Sequence, residues 1–557
     1  MGLFFIAILC FTLLSNILDY HQPKQQEILR EIFKQGVLQS RLTALFKPQL
    51  FQKAIITATG NTLLLFLIFW LAGGELRLID NANNYFLNCN ERFFLLLIFC
   101  LSTIASASLA YFGSRGFPMS GDGYAYLTQA KILAQGKLYV NSHPLRQFFH
   151  CDFMVNNGKY FACYPLGTPF FILLGELLGL PWLANPVAGS LALIVIYYML
   201  KEFFSPETAR YGVCFILLGH FFNDMNSTYL SHPVSLLFIS LFIYLFLTSV
   251  KQIRSYRSLL AGLALGGAVF ARPLTAAAIS TPILLWGLYK LIREKKPFSL
   301  LYMFASGISA PLLVLMWINK IQTGNPFVLG YQLQFRSPGF QEGYNLLQAI
   351  GTMLWRFRAI EYMVKFEPLS IFIPLFFIIF GFRGKNKYPY LFLGLLGVLC
   401  VAYLPLSTSI WDLRYYYPPL MYLIGLLPWG IYNFSDYANK RGLRFNHRHV
   451  LSLLLGFIFC FKVWGIYQWG FKPYNTLEKL QQPYTTIARA KIKNAIVFLR
   501  NIEGELYPQW YTRNSLDYSD AVLYALDLGE ENKLLMDYYP KRNYYIYSKG
   551  ELTQIYP

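Results

Sequence analysis

The feature that most constrains this chain is a succession of unbroken apolar runs, most of them near the roughly 20 residues a helix needs to cross a bilayer. They fall at 1–18, 53–73, 93–113, 166–180, 183–200, 211–222, 233–250, 258–271, 276–292, 299–318, 369–382, 389–406, 416–434 and 450–469. The runs are continuous rather than alternating, which excludes an outer-membrane barrel. Only 14% of the 557 residues are charged, against about 25% in ordinary soluble proteins, so a soluble enzyme is excluded as well. The expectation is an all-α polytopic membrane protein with about 12 to 14 crossings. Runs such as 211–222 and 369–382 are short and read as tilted or partial spans, and one of the three runs in 166–222 is expected to lie in the interface. No internal repeat is visible, which weakens an inverted-repeat transporter reading. Met1 to Ser15 lacks the basic start and small-residue cleavage site of a secretory signal, so an uncleaved helix is expected.

The net charge of +20 would suit nucleic acid in a soluble chain. Here the cations crowd short loops, with no zinc-ligand spacing or recognition-helix pattern, so they report topology and anionic lipid rather than a nucleic-acid partner. The loops 250–257, 290–298, 383–388 and 435–449 carry fourteen Lys or Arg and two acids, and read as cytoplasmic. The connections at 272–275, 319–368 and 407–415, with the tail from about 470, then face outside. The 19–52 loop holds five cations and the 74–92 loop two, a bias that alone would put residue 122 inside. The four consistent loops, and the resemblance drawn below, point to the outside. Three regions result: 1–92, extra N-terminal helices and loops; 93–470, a multi-span core with a first outer loop at 114–165; and 471–557, a small αβ domain.

Most of the eight cysteines sit singly in apolar runs as small buried hydrophobes. Cys151 and Cys163 differ: they lie twelve apart in the outer polar loop, where an oxidising compartment permits a disulfide between them.

Eighteen acids lie before the tail, so each is informative. Asp122, in Met119-Ser-Gly-Asp-Gly-Tyr, is sterically open between glycines and stands at the mouth of an amphipathic stretch, 124–135. It suits a helix N-cap, a catalytic carboxylate, or both. His143, Arg146, His150 and Asp152 follow in the same loop. The histidines are seven apart and lack helical zinc geometry, so a polar substrate loop is preferred to a metal site. The notch Asn223 to Pro233 places polar groups between apolar runs, a position that usually faces a cavity. Arg272, in Ala-Arg-Pro, either snorkels to the interface or holds a phosphate. Arg414, followed by Tyr415 to Tyr417, is a second cation on the same face, and two cations together imply an anionic ligand.

Taken in order, Asp122 in the first outer loop, Gly158-Lys159-Tyr160, Tyr164-Pro-Leu-Gly167, Pro181–Pro186, Tyr229–Pro233, Ala271–Ala276, Gly324–Phe327 with Gly330-Tyr331, Arg414–Tyr416 and the tail pattern Leu526–Asn532 resemble the bacterial family 39-like members of the C-type (GT-C) glycosyltransferase superfamily. That group includes relatives of protein O-mannosyltransferases and aminoarabinose transferases. The resemblance implies a GT-C helical core in the bacterial inner membrane with its active site facing outside. It also implies transfer of a sugar from a polyprenyl (undecaprenyl) phosphate donor to an envelope acceptor: a glycolipid, a polysaccharide or a protein. Asp122 matches the family's general base. Relatives often have Asp-Glu here, whereas this chain has Asp122-Gly123, so a divalent metal at this loop is not expected and no cofactor is required.

The chemistry is consistent with that resemblance. Attack of a hydroxyl on an anomeric carbon needs a base on one face, while a lipid phosphate leaves as a stable anion without a general acid, unlike the two-carboxylate arrangement of glycosidases. Arg272 and Arg414 are then the phosphate-holding cations, with Lys159, Tyr164, His232, Tyr331 and Tyr415 as further substrate-contact candidates. The competing class is a membrane transporter or lipid-linked sugar flippase, whose intramembrane cations would line a pathway.

Overall fold

The computed structural model describes residues 76–334, 372–403, 414–469, 473, 475–500 and 513–556. The runs at 1–18 and 53–73, and Trp411 and Asp412 beside Arg414, lie outside the described residues.

Short α1 (Arg77–Asn88) leads into α2 (Glu91–Ser108), which Asn90 starts by accepting from the backbone N–H groups of Arg92 and Phe93. A π-turn extends α2 to Gly113. The outer loop then forms α3 (Gly121–Ala134) and a three-stranded sheet of β1 (Val140–Asn141), β2 (Met154–Asn156) and β3 (Lys159–Ala162) in the order β1-β3-β2. Next come α4 (Gly167–Leu177), α5 (Ala184–Phe203), α6 (Pro206–Leu218), α7 (His220–Asn226), α8 (His232–Gln252), α9 (Ser255–Ala271), α10 (Pro273–Arg293), α11 (Ser299–Thr323) and the short α12 (Gly330–Gln334). The remaining membrane helices are α13 (Phe372–Phe380), α14 (Tyr388–Ala402), α15 (Tyr417–Gly425), α16 (Leu427–Asn439) and α17 (His447–Trp469). The tail adds α18 (Asn475–Arg489), β4 (Ala495–Leu499), β5 (Val522–Leu526), α19 (Asn532–Tyr538), β6 (Asn543–Ser548) and β7 (Glu551–Ile555).

Six helices among the described residues are long and apolar enough to span a membrane: Glu91–Gly113, Pro181–Phe203, His232–Gln252, Pro273–Arg293, Ser299–Thr323 and His447–Trp464. The protein is therefore a multi-pass helical membrane protein. Lipid offers helices no hydrophobic drive to associate, so small residues bring them together. Gly262 and Gly266, four apart on α9, lie against Gly307 and Pro311 of α11; a Cβ on Gly262 would sit 2.7 Å from the Ile308 backbone nitrogen.

Side-chain contacts define two ends. At one, Glu91 pairs with Lys201, Glu202 with Lys251, and Glu207 with Arg448, while Lys296 donates to the Val250 carbonyl and Asn386 to that of Phe203. At the other, Tyr229 donates to the Gly116 carbonyl, Asn185 to those of Thr228 and Leu230, and Arg272 to Ser231. The cation-rich loops thus gather at one end and the outer loop at the other. Crossing parity in 166–222 follows from this. Helix α4 begins against the Phe270–Ala271 backbone and its Gly175 lies 2.7 Å, measured from a built Cβ, from the Leu180 carbonyl just before α5. Both its ends therefore belong to the outer-loop end, while Leu174, Leu177 and Leu178 stay exposed. Helix α4 thus starts and ends at the outer-loop end, and α6 with α7, broken at Gly219, runs from the cation-rich end back to it.

The tail sheet runs β5-β4-β6-β7, with β4 parallel to both β5 and β6, and β7 antiparallel to β6. All five residues of β4 are buried, as a central parallel strand requires. Phe148 and Phe149 of the outer loop enter this unit's core beside Phe498, Leu523 and Leu535. His143 is boxed by Phe149, Tyr518 and Tyr538 and is 3.0 Å from the Tyr539 hydroxyl. Loop and tail are one packed layer over the outer end.

The expected Cys151–Cys163 bridge is not formed: both thiols are free and buried. Met154 pairs with Ala162 and Val155 with Phe161. Successive strand side chains take opposite faces, so Cys163 joins Val155 and Phe161 on one face, while Cys151 packs with Met154, Tyr160 and Ala162 on the other.

Candidate active site

Asp122 does not cap its helix. Ser120 is the N-cap, its Oγ accepting from the Gly123 N–H at 3.1 Å. That places Asp122 in the first turn of α3, with its carboxylate free to turn toward the membrane helices. Tyr164 donates to Oδ1 at 2.5 Å, and Arg414 Nη1 lies 3.0 Å from Oδ2. The Asp122 and Arg414 side chains are only 16% and 23% exposed. Burial, then the charge of Asp122, pushes the Tyr164 phenol well above its ordinary value, so it remains a donor. Arginine is always protonated. Neither partner can take a proton from Asp122, and a carboxylate with about four lone-pair sites keeps room for a hydroxyl.

Arg272 lies in the break between α9 and α10, where proline at the first turn of α10 suits a helix start. Its guanidinium donates to Ser231 Oγ at 3.0 Å, Thr275 Oγ1 at 3.3 Å and the Tyr403 hydroxyl at 3.4 Å. All three acceptors are neutral, and among the described residues no carboxylate pairs with it. Tyr415 joins the two arginines: its ring centroid is 4.9 Å from the guanidinium carbon of Arg272 and 5.7 Å from that of Arg414. Tyr403 stacks on Tyr415 at 4.5 Å and 2°. His232 stacks nearby at 6.2 Å and is buried, with no hydrogen-bond partner for either ring nitrogen among the described residues. Tyr331 meets Tyr164 edge-on at 5.3 Å, and Tyr126 stacks on Tyr164 at 4.6 Å.

Asp122, Tyr164, His232, Arg272, Tyr331, Arg414 and Tyr415 are thus gathered in one cluster, where α3, α8 and α10 all begin. Aligned peptide dipoles make helix N-termini favourable to anions. Among the described residues the cluster sets one carboxylate beside two guanidiniums, an arrangement suited to an anion next to a proton acceptor.

Lys159 is elsewhere. Its ammonium donates to the Ile321 carbonyl at 2.5 Å and lies 4.5 Å over the Tyr139 ring, tying the loop sheet to the end of α11. His143 is committed to the tail, and His150 pairs with Asp152 on the surface at 3.3 Å. Among the described residues no three metal-ligating side chains converge. Tyr403 carried no sequence signal, standing at the end of an apolar run. Ser231 and Thr275 sit inside recognised motifs, but only the fold shows that they hold Arg272.

No known protein-family profile matches the chain, and no curated protein matches it significantly. Among solved structures, it is similar to ArnT from Cupriavidus metallidurans bound to undecaprenyl phosphate, at 10% identity and a TM-score of 0.49, over 81% of this chain and 89% of that one. It is also similar to the Archaeoglobus fulgidus oligosaccharyltransferase in its apo form, at 12% identity and a TM-score of 0.40, over 72% of this chain and 59% of that one. A third likeness is to AglB from Archaeoglobus fulgidus in complex with an inhibitory peptide and a dolichol-phosphate, at 12% identity and a TM-score of 0.39, over 72% of this chain and 58% of that one. At such identities and scores these likenesses decide nothing about the reaction.

Proposed function

We propose that the protein is an integral membrane glycosyltransferase of the GT-C type that moves a sugar from a polyprenyl phosphate to an envelope acceptor. The observation that carries this reading is the pairing of one proton acceptor, Asp122, with two guanidiniums set about a single tyrosine ring, Arg272 having only neutral partners among the described residues. Arg272 and Arg414 hold the donor phosphate at the boundary of the helical core, and Tyr415, His232 and Tyr331 bound the donor. The acceptor hydroxyl gives its proton to Asp122 as its oxygen bonds to the anomeric carbon. The bond from that carbon to the phosphate oxygen breaks with inversion, and the departing phosphate keeps the electron pair. Preorganised cations aimed at developing charge are the largest common source of rate enhancement.

The cation-rich loops are read as cytoplasmic, which puts the site on the outer face of the cytoplasmic membrane. A transporter would place its binding groups near the bilayer midplane, whereas this cluster lies at one end of the bundle.

The test is transfer from radiolabelled undecaprenyl phosphate sugars to envelope acceptors in membranes bearing the wild type or Asp122→Asn. Loss of a general base costs typically 10²- to 10⁴-fold, and the variant should fall in that range while remaining folded. Equal transfer by both proteins would remove Asp122 as the base.

A further inference from the structure

A second buried cation stands at the opposite end of the bundle from Asp122. Arg210, in the second turn of α6, is only 5% exposed. Its guanidinium donates to the Phe86 carbonyl at 2.8 Å and the Cys89 carbonyl at 2.7 Å, touches the Cys89 thiol, and lies 4.8 Å over the Phe94 ring. All of these partners are neutral. The nearby carboxylates are committed elsewhere: Glu207, three residues earlier, accepts from Arg448 at 3.1 and 3.0 Å and lies 3.1 Å from His447, Glu91 pairs with Lys201, and Asp80 pairs with His449. Arginine is always protonated and buried charges are normally paired, so this guanidinium favours an anion.

Arg210 lines a cavity of about 460 Å³ between the first turns of α6, one face of α16 and the start of α17. Pockets of about 300–1,000 Å³ are typical ligand sites. Two guanidiniums, Arg210 and Arg448, share the lining with one carboxylate, Glu207, and the His447 imidazole. The depth of the cavity narrows the choice of anion. One membrane-spanning helix ends at Phe203, just before it, and another begins at His447, within its wall. The cavity is therefore level with the lipid headgroups. Trp429 stacks on Tyr432 at 5.5 Å and 21°, and Tyr432 is 47% exposed, as belt aromatics are at that level. Leu87, Pro206, Pro428 and Leu451 make the remaining wall apolar, which suits a glycerol backbone and the first acyl carbons below a phosphate. Basic pockets between helices on the cytoplasmic side take anionic headgroups.

We propose that this cavity holds the phosphate headgroup of an anionic phospholipid from the leaflet at the cation-rich end, and that the lipid ties α1, α6, α16 and α17 together there. The site is independent of the Asp122 cluster and does not rest on the transfer reading above.

The probe is phosphatidylglycerol in phosphatidylcholine nanodiscs carrying the full chain, with lipid retention read by native mass spectrometry and folding by thermal unfolding. The wild type should retain phosphatidylglycerol in preference to phosphatidylcholine. Arg210→Gln keeps a donor for the Phe86 and Cys89 carbonyls but not the charge, and should hold phosphatidylglycerol about tenfold less tightly, the loss of one charge-assisted contact. Pro206 is exposed at the rim of the cavity, so Pro206→Trp obstructs the mouth without touching the core. It should show a similar loss, and it decides the matter if Arg210→Gln does not fold. Arg254→Ala removes an exposed cation at the same end but outside the cavity, and should retain the lipid like the wild type. Retention that a folded Pro206→Trp leaves unchanged, or equal retention of phosphatidylcholine, overturns the proposal. An equal loss in Arg254→Ala would make the attraction a diffuse surface effect and also overturn it. Displacement of the lipid by soluble glycerol phosphate would make the cavity a site for a soluble anion and overturn the lipid assignment.

Discussion

Replacing Arg272 separates a ligand-holding arginine from a structural one. Its three acceptors are neutral hydroxyls, and two of them, Thr275 Oγ1 and the Tyr403 hydroxyl, already lie 2.5 Å apart. Arg272→Ala therefore strands no buried charge, and losing three hydrogen bonds at about 1 kcal/mol net each should cost the fold roughly 3 kcal/mol or less, since the guanidinium's own desolvation cost is recovered. Arg414 is the contrast, because removing it leaves the largely buried Asp122 carboxylate without that cation, a loss that for fully buried pairs reaches roughly 3–5 kcal/mol. Toward a phosphate, each charge-assisted bond contributes about 1.5–3 kcal/mol. Losing the Arg272 fork should therefore weaken undecaprenyl phosphate binding roughly 100-fold, at about 1.4 kcal/mol per factor of ten. Arg272→Lys keeps the charge but not the planar fork, and should cost on the order of tenfold. The assay is a Kd for undecaprenyl phosphate with full-length protein in nanodiscs, alongside thermal unfolding. Asp122→Asn, which removes negative charge beside the phosphate, should bind at least as tightly as the wild type. If Arg272→Ala remains folded and binds undecaprenyl phosphate within twofold of the wild type, Arg272 is not a phosphate ligand and the anion-site argument fails.

Two further outcomes follow from the layer over the outer end. Burial lowers the His143 imidazole below its ordinary 6.5, with Nδ1 accepting from the Leu145 N–H. The unfolded loop then binds the proton more readily than the docked one, so docking is fully stable above 6.5 and weakens as pH falls below it. Hydrogen exchange in β4 and β6 should speed up between pH 7.5 and 5.5 after correction for intrinsic rates, and His143→Phe should flatten that dependence; an unchanged pH response in the variant would count against it. Burial pushes the Cys151 thiol up to about 12 and raises that of Cys163. Both should resist iodoacetamide at pH 8 in the folded protein and be alkylated after denaturation without reductant; a peptide pair linked through these two cysteines would refute the opposite-face geometry.

Membrane class, helix positions and the αβ character of the tail were legible because hydropathy is a local property that each run carries on its own. The gathering of the cation-rich loops at one end was legible too, since cation placement is written residue by residue. Local pattern misled where a side chain had a choice of direction. Asp122 reads as a cap from composition, but Ser120 two residues earlier takes that role and frees the carboxylate. Cys151 and Cys163 read as a pair from spacing, until strand alternation sends them to opposite faces.

The sequence by itself determined that the chain spans a membrane, which end its cations occupy, and that Asp122, Arg272 and Arg414 were the charges to watch, because ionisable groups among apolar runs are costly and stand out. Only the tertiary structure decided which of them meet. Asp122 and Arg414 come from distant parts of the chain to lie 3.0 Å apart, Lys159 is drawn away to the Ile321 carbonyl, and Tyr403, silent in the sequence, becomes part of the setting of Arg272. The reason is physical: a cluster is fixed by how helices pack and where they begin, and those contacts join residues whose separation along the chain leaves no local trace.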